Sequence, residues 1–238
     1  TVLVARLREL CAGVLAGPDR FVAYQCVHGL GHGLMIRSGL DLPGSLALCT
    51  RLETDWERVS CDGGVFMENF NTSYGVTSRF VRDGEPLYPC TAVEERHKLY
   101  CYLQITDNIL AQNGYDFAAA ATTCLDSEPD WVATCFQSLG RSASGTSRND
   151  RQRLLDLCGL APDANEGECI YGAVRDIVSN DAGGGRALAY CAAVPERHRG
   201  RCFYGLGTIM HDLDGLKICD RVPPRYVRHC RLQDTGLA

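Results

Sequence analysis

Two histidines four residues apart are the part of this sequence best suited to chemistry. They lie in the segment Cys26-Val-His28-Gly-Leu-Gly-His32, and on a helix this spacing puts both rings on one face. Two imidazole nitrogens on one face can bind one divalent metal ion, and a nearby carboxylate would complete the set of ligands. The metalloprotease signature His-Glu-x-x-His is absent, because Gly29 follows His28. Ordinary packing of two histidines is the alternative interpretation.

Two arginines offer a different chemistry. Arg141 and Arg175 each lie six residues after a cysteine. Two guanidinium groups one repeat apart can clamp a carboxylate, a phosphate or a sulfate, because each presents several N–H donors in a planar fork. Intramolecular salt bridges, for example with Asp107 and Asp176, would explain the same residues without a ligand.

Other candidates for chemistry are few. His97 and His198 both lie in Glu-Arg-His segments, and we predict that they lie on the surface of linkers and have no function. The sequence contains no Gly-x-Ser-x-Gly motif and no phosphate-binding loop. If the cysteines are paired, no thiol remains for catalysis.

Fourteen cysteines fall into seven consecutive pairs. Five pairs have ten residues between their members, one has eleven and one has fourteen. An even number with a repeated spacing indicates disulfides and an oxidising compartment. Zinc thiolates are the competing interpretation, but no Cys-x-x-Cys occurs, and structural zinc sites usually bring ligands only a few residues apart. We therefore expect bridges between neighbours: Cys11 with Cys26, Cys49 with Cys61, Cys90 with Cys101, Cys124 with Cys135, Cys158 with Cys169, Cys191 with Cys202, and Cys219 with Cys230.

The second cysteines of these pairs set a repeat. Their separations are 35, 40, 34, 34, 33 and 28 residues, which is the size of a two-helix solenoid unit. Pro129-Asp130 and Pro195-Glu196 precede two of these cysteines, and proline followed by an acid is typical of a helix start. The sequence therefore predicts an all-α, disulfide-stapled α-solenoid of two-helix repeats with a period of about 34 residues. Helix A carries the second cysteine, and helix B ends at the next first cysteine. One array would span residues 1–238, with a loop insertion around residues 71–88.

Counting from the second cysteine aligns the A helices and places most of the charge inside them in two columns. The columns six and seven residues on contain His32, Met67, Asp107, Arg141, Arg175 and Thr208, and Gly33, Glu68, Asn108, Ser142, Asp176 and Ile209. They are either a solvated face or a polar stripe along a concave groove. Glycines three and five residues after the second cysteine favour the groove. Each costs up to about 1 kcal/mol inside a helix unless close packing of another helix or a bound ligand offsets this cost. We expect His32, Glu68, Asp107, Arg141, Arg175 and His211 to bind the ligand, and His28, His32 and Glu68 to bind a metal.

Two segments carry a resemblance to a known family. They are Cys135-Phe-Gln-Ser-Leu-Gly140 and Cys202-Phe-Tyr-Gly-Leu-Gly207. A helix-B cysteine, a short linker and then such a segment in helix A resemble the Sel1-like repeats of the Helicobacter cysteine-rich protein family. The resemblance implies an extracytoplasmic α-solenoid that serves as a scaffold for binding a protein or another ligand.

Composition narrows the classes of function. A net charge of -5 and a pI near 5.7 argue against a nucleic-acid partner, since phosphate neutralisation needs a basic face. No stretch approaches about eighteen consecutive apolar residues, so we expect no transmembrane segment. We therefore expect a secreted or periplasmic binding module whose polar groove holds a protein, a peptide or a small anionic ligand. The alternative is a metal-dependent enzyme, a hydrolase or an oxidoreductase, built on His28, His32 and a carboxylate.

Overall fold

The structure, a computed structural model, describes residues 2–71, 75–148, 150–181 and 183–232. Within these ranges the chain forms twelve α-helices and no β-strand, which confirms the all-α prediction. None of the described helices has the length and the hydrophobicity that a membrane crossing requires. The helices are α1 (Val2–Leu15), α2 (Arg20–Arg37), α3 (Leu42–Cys49), α4 (Asp55–Phe70), α5 (Lys98–Gln112), α6 (Phe117–Leu125), α7 (Val132–Ser147), α8 (Arg151–Cys158), α9 (Asp163–Ser179), α10 (Gly185–Ala193), α11 (Glu196–Asp214) and α12 (Val227–Arg231).

All fourteen cysteines are bonded to their predicted neighbours. Most bridges join a B helix to the A helix that follows it, as Cys158 of α8 and Cys169 of α9 do. Cys90 and Cys219 are exceptions, because they lie in turn and 3₁₀ segments instead of at the end of an α-helix. The disulfide-stapled α-solenoid of two-helix repeats is confirmed.

The helices group into two compact units, residues 1–112 and 113–238. In the first unit, α2 packs on α4, and α4 packs on α5. In the second unit, α7 packs on α9, α9 on α11, and α11 on α12. Within each unit, every A helix therefore packs on the A helix of the next repeat. A single array over residues 1–238 stays a prediction.

Polar caps set the starts of several helices. The side chains of Asp19, Asp116 and Asp150 accept hydrogen bonds from backbone N–H groups in the first turns of α2, α6 and α8. Pro195 is the N-cap residue of α11, and Pro129 opens a 3₁₀ turn that leads into α7. These prolines therefore mark the helix starts that the sequence predicts, but they lie just outside the α-helices.

Glycines let neighbouring A helices cross in direct backbone contact. A Cβ atom on Gly31 of α2 would lie 2.1 Å from a carbonyl oxygen of α4, and one on Gly64 of α4 would lie 1.9 Å from a carbonyl oxygen of α2. Gly140 of α7 and Gly172 of α9 repeat this arrangement, with distances of 1.8 and 1.9 Å. Only glycine fits at these four positions. Gly29 differs, because a Cβ atom there would meet no atom within 4 Å.

Turns take the place of a B helix between α4 and α5. Residues 75–94 contain no helix, and they include most of the insertion predicted around residues 71–88. Residues 72–74 of that insertion lie outside the described residues. The stretch is attached to α5, where Nδ2 of Asn108 donates to the carbonyl oxygen of Pro86 at 2.9 Å.

Candidate functional site

Four polar side chains form a chain of close contacts in the first unit. Nε2 of His28 and Nε2 of His32 lie 3.2 Å apart, and Nδ1 of His32 lies 2.8 Å from Oε2 of Glu68. The Tyr24 hydroxyl lies 3.4 Å from Nδ1 of His28. Glu68 belongs to α4, and the other three residues belong to α2. The structure thus brings together the histidine pair and the carboxylate that the sequence placed in one site.

The crossing of α2 and α4 positions this group. A Cβ atom on Gly64 would lie 1.9 Å from the carbonyl oxygen of His28, and one on Gly63 would lie 3.1 Å from Nδ1 of the same histidine. A larger residue at Gly64 would push α4 away from α2. Glu68 lies one turn after Gly64, on the same side of α4. The bare glycine backbone therefore lets this carboxylate reach His32.

Burial determines which nitrogen atoms are available. Glu68 is fully buried, His28 is 8% exposed, and the side chain of His32 is 27% exposed. A buried carboxylate needs a hydrogen-bond donor, and Nδ1–H of His32 supplies one. In the tautomer that carries its proton on Nδ1, His32 keeps a lone pair on Nε2, directed towards His28. Solvent reaches the pair through His32.

The structure changes the role expected for Glu68. Glu68 bonds to Nδ1 of His32, whereas His28 faces Nε2 on the other side of that ring. An ion held by the two Nε2 atoms could not have Glu68 as its third ligand. In the described ranges, no group of three or more His, Cys, Asp and Glu side chains could hold a metal ion. The predicted three-ligand set is therefore not formed.

Two further residues expected to bind the ligand have other surroundings. Asp107 of α5 accepts a hydrogen bond from Nδ2 of Asn71, the residue that follows α4. It forms no metal-holding group with the histidines in the part of the chain that is described. His211 is exposed near the end of α11 in the second unit, so its place beside residues of the first unit stays a prediction.

Arginines lie over tyrosine rings on one face of α9 and α11. The guanidinium of Arg175 lies 5.3 Å from the centre of the Tyr171 ring, and that of Arg201 lies 4.0 Å from it. The ring of Tyr204 stacks on that of Tyr171, with 5.7 Å between centres. Arg201 also donates to Glu168 at 2.7 Å. Arg175 is half-buried, and no carboxylate among the described residues pairs with it. We call Tyr171, Arg175, Arg201 and Tyr204 the arginine–tyrosine face.

The predicted partner of Arg175 is Arg141, one repeat earlier. Arg141 is half-buried and already interacts with other groups of the fold, so a clamp formed by both arginines stays a prediction. The cysteine spacing alone did not point to Arg201 or to the two tyrosines. Tyr171 and Tyr204 each lie two residues after a helix-A cysteine, so aligning that position across the repeats would have found them.

The prediction that His97 and His198 lie on the linker surface is wrong. His97 is 6% exposed, and its Nδ1 lies 2.6 Å from Oδ2 of the buried Asp62. The side chain of His198 is 13% exposed, and its Nε2 lies 3.0 Å from Oε2 of Glu166. Burial raises the pKa of the Asp62 carboxyl, although the hydrogen bond with His97 acts in the opposite direction. His97 connects the 3₁₀ turn before α5 to α4, and His198 connects α11 to α9.

A cavity of about 380 Å³ opens in the second unit among α7, α8, α9 and α10. Its lining includes Ser144, Arg151, Arg186 and Tyr190, and its volume suits a small molecule. No motif in the sequence predicts this cavity. Both of its arginines are exposed and therefore well hydrated, in contrast to the half-buried Arg175. The arginine–tyrosine face is for this reason the stronger candidate for recognising an anionic group.

Comparisons of the chain with protein-family models, with curated proteins and with solved structures find no match. The resemblance to Sel1-like repeats therefore stays a prediction.

Proposed function

We propose that this protein is a helical-repeat binding module that recognises an acidic peptide through the arginine–tyrosine face. Seven disulfides support an oxidising compartment, and we propose a secreted or periplasmic location within that class. The stapled A helices would act as the scaffold, and their side chains would supply the recognition surface.

The observation that supports this proposal most strongly is that Arg175 is a half-buried cation. Its guanidinium lies over the Tyr171 ring, where it is partly removed from water. No acidic side chain in the described ranges neutralises it. A partly desolvated guanidinium attracts a carboxylate more strongly than a hydrated one, and its planar fork can donate two parallel hydrogen bonds.

Neighbouring side chains extend this surface beyond Arg175. Tyrosine and arginine are enriched in the energetically dominant parts of protein interfaces. Arg201 is held by Glu168 and by the Tyr171 ring, so binding would immobilise it at little further entropic cost. Gln137 of α7 also donates to Glu168, at 2.8 Å. Three successive A helices therefore contribute to one connected surface.

Selection of random heptapeptides displayed on phage would test the proposal. We expect the enriched sequences to contain Asp or Glu. For one enriched peptide, Arg175→Ala should weaken binding by roughly 1.5–3 kcal/mol, the scale of a charge-assisted hydrogen bond. Titration calorimetry measures this change. The thermal unfolding of the variant should remain close to that of the wild type, because Arg175 makes no ion pair in the described fold.

Arg153→Ala is the matched control. It removes the same charge from an exposed position on α8, and it should leave peptide binding unchanged. If no sequence is enriched, or if both variants lose the same affinity, the proposal is wrong. Unchanged binding together with a lower unfolding temperature would make Arg175 a structural residue.

A metal-dependent enzyme, either a hydrolase or an oxidoreductase, is a second candidate function. One observation favours it, namely the 3.2 Å approach of the Nε2 atoms of His28 and His32. Hydrolase activity can be tested with chromogenic esters and phosphates, using protein purified without a histidine tag. We expect a chelator to abolish this activity and added metal to restore it. Activity that resists the chelator would contradict this candidate.

A further inference from the structure

We infer that His28 and His32 form a metal site with two protein ligands, in which Glu68 orients His32 and water or an external ligand takes the other positions. The second candidate function requires this site, whereas peptide binding by the arginine–tyrosine face does not depend on it. The site differs from the one that the sequence predicts, because the carboxylate does not touch the ion.

The distance between the two Nε2 atoms fits a shared ion. Zinc binds imidazole nitrogen at about 2.0–2.1 Å, and two such bonds across the observed 3.2 Å enclose an angle of about 100° at the metal. This angle is close to the tetrahedral one that zinc prefers. The spacing of the two nitrogens therefore suits a shared ion.

Both rings are held at the nitrogen that faces away from the ion. Nδ1 of His32 bonds to Glu68 at 2.8 Å, and Nδ1 of His28 lies 3.4 Å from the Tyr24 hydroxyl. The Tyr24 ring also stacks on the His28 ring, with 5.4 Å between centres. Metal-binding histidines usually donate their second N–H to a carboxylate or a similar acceptor, which fixes the ring and raises its basicity. Glu68 is therefore a positioning residue.

The ligand set determines which ions bind best. Imidazole nitrogen suits zinc, copper and nickel, and among these ions the affinity is greatest for Cu²⁺. No carboxylate or thiolate in the described ranges joins the two histidines as a third ligand. We therefore expect Cu²⁺ to bind more tightly than Zn²⁺. We also expect both ions to bind less tightly than they do at sites with three or four protein ligands.

A hydrogen bond between the rings would account for the same 3.2 Å distance. In that arrangement Nε2–H of His28 donates to Nε2 of His32, and the pair is a packed core contact. The two interpretations differ in whether copper binds and in how many imidazole nitrogens surround it.

Titration of Cu²⁺ and Zn²⁺ into the full chain, free of tags and previously treated with a chelator, separates these interpretations. Calorimetry should show one ion per chain, and the electron paramagnetic resonance spectrum of bound Cu²⁺ should contain the splitting of two imidazole nitrogens. His28→Gln and His32→Gln should each abolish this site. Glu68→Gln keeps an acceptor for Nδ1–H but removes its charge, and it should weaken Cu²⁺ binding by about tenfold.

His229→Gln is the control, because His229 is an exposed histidine of α12, and its loss should change neither stoichiometry nor affinity. Failure to bind one equivalent of Cu²⁺, or a spectrum without two imidazole nitrogens, would overturn the metal site. This spectrum is measured on the wild type, so it decides the question even if a variant does not fold. Equal affinity in Glu68→Gln would overturn the positioning role. Loss of the metal site would remove the enzyme candidate and leave the peptide experiment unaffected.

Discussion

At the start of α4, Glu57 accepts hydrogen bonds on both of its carboxylate oxygens. Oε2 accepts from the backbone N–H groups of Glu53 and Thr54, each at 2.9 Å, and Oε1 accepts from Arg8 at 3.0 and 2.9 Å. Burial by itself raises the pKa of Glu57, but the hydrogen bonds from Thr54 and Arg8 outweigh it and hold the pKa below its ordinary value. The ionised carboxylate therefore stabilises the native state.

Glu57→Gln should lower the free energy of unfolding by roughly 2 kcal/mol near neutral pH, because a charged acceptor is lost. The folded pKa of Glu57 lies below the unfolded one. Its contribution is therefore fully present above the unfolded pKa and is lost as the pH falls through the folded pKa. The difference between wild type and variant should shrink below about pH 4.5. Urea unfolding over a range of pH measures it.

Glu85→Gln serves as the comparison for this prediction. Glu85 is exposed and pairs with Arg82 three residues away, so its loss should change stability by less than about 0.5 kcal/mol. A stability loss in Glu57→Gln that stays constant from neutral pH down to about pH 3 would contradict the role of the charge.

The sequence predicts contacts within one helix better than contacts between helices. A spacing of four residues was enough to place His28 and His32 on one face. His97 and His198 bond to carboxylates on the preceding A helix, and spacing within a helix does not reveal how two helices pack. For Glu68 the aligned columns predicted proximity to His32, but not the imidazole nitrogen to which it bonds.

At the scale of helices, glycines in α2, α4, α7 and α9 determine how closely these A helices pack. Gly31→Ala would place a Cβ atom 2.1 Å from a backbone carbonyl oxygen of α4, so α2 and α4 would have to separate. We expect a loss of roughly 1–3 kcal/mol in the free energy of unfolding, as for other overpacked cores. Chemical denaturation measures this loss.

Gly29→Ala offers a matched change two residues earlier on α2. A Cβ atom there meets no atom within 4 Å, and alanine is the better helix former. This variant should gain about 0.5–1 kcal/mol. Equal effects of the two substitutions would show that helix crossing does not explain the glycines.

Helix types and order followed from the sequence, because the cysteine period fixes where each A helix lies. The structure of each connection between helices depends on the residues between the cysteines, which the period does not specify. The stretch of residues 75–94 keeps its cysteine at position 90 but forms turns, since its B helix is replaced by the insertion. The sequence predicted the insertion through the single 40-residue step between Cys61 and Cys101.

Over the whole molecule, the disulfides stabilise repeats that are too small to bury much apolar surface alone. Cys158 and Cys169 close a loop with a sequence separation of 11 residues, as four other pairs do. Loop entropy at this length corresponds to about 3 kcal/mol.

The double variant Cys158→Ala, Cys169→Ala should therefore lose about 3 kcal/mol of unfolding free energy in chemical denaturation. A loss below about 1 kcal/mol would mean that the bridge adds little to a repeat that is already stable.

The division of the chain into two units could not be predicted from the repeat. The cysteine period continues from Cys101 to Cys135 with a step of 34 residues, across the boundary after Gln112. The spacing of the cysteines predicts where each A helix lies in the sequence, but it does not predict which A helices belong to the same compact unit. The arginine–tyrosine face lies wholly in the second unit, so the proposed binding site does not depend on how the two units are arranged.

Recognition through the arginine–tyrosine face is tested most directly by nuclear magnetic resonance on the ¹⁵N-labelled protein. A peptide enriched by phage display is titrated in, and the Nε–Hε signals of the arginines are followed together with the backbone amides. We predict that the largest shifts occur at Arg175 and Arg201 and at the amides around Tyr204. The proposed binding site would be contradicted if these signals stayed unchanged and the shifted signals clustered elsewhere, for example around the cavity lined by Arg151.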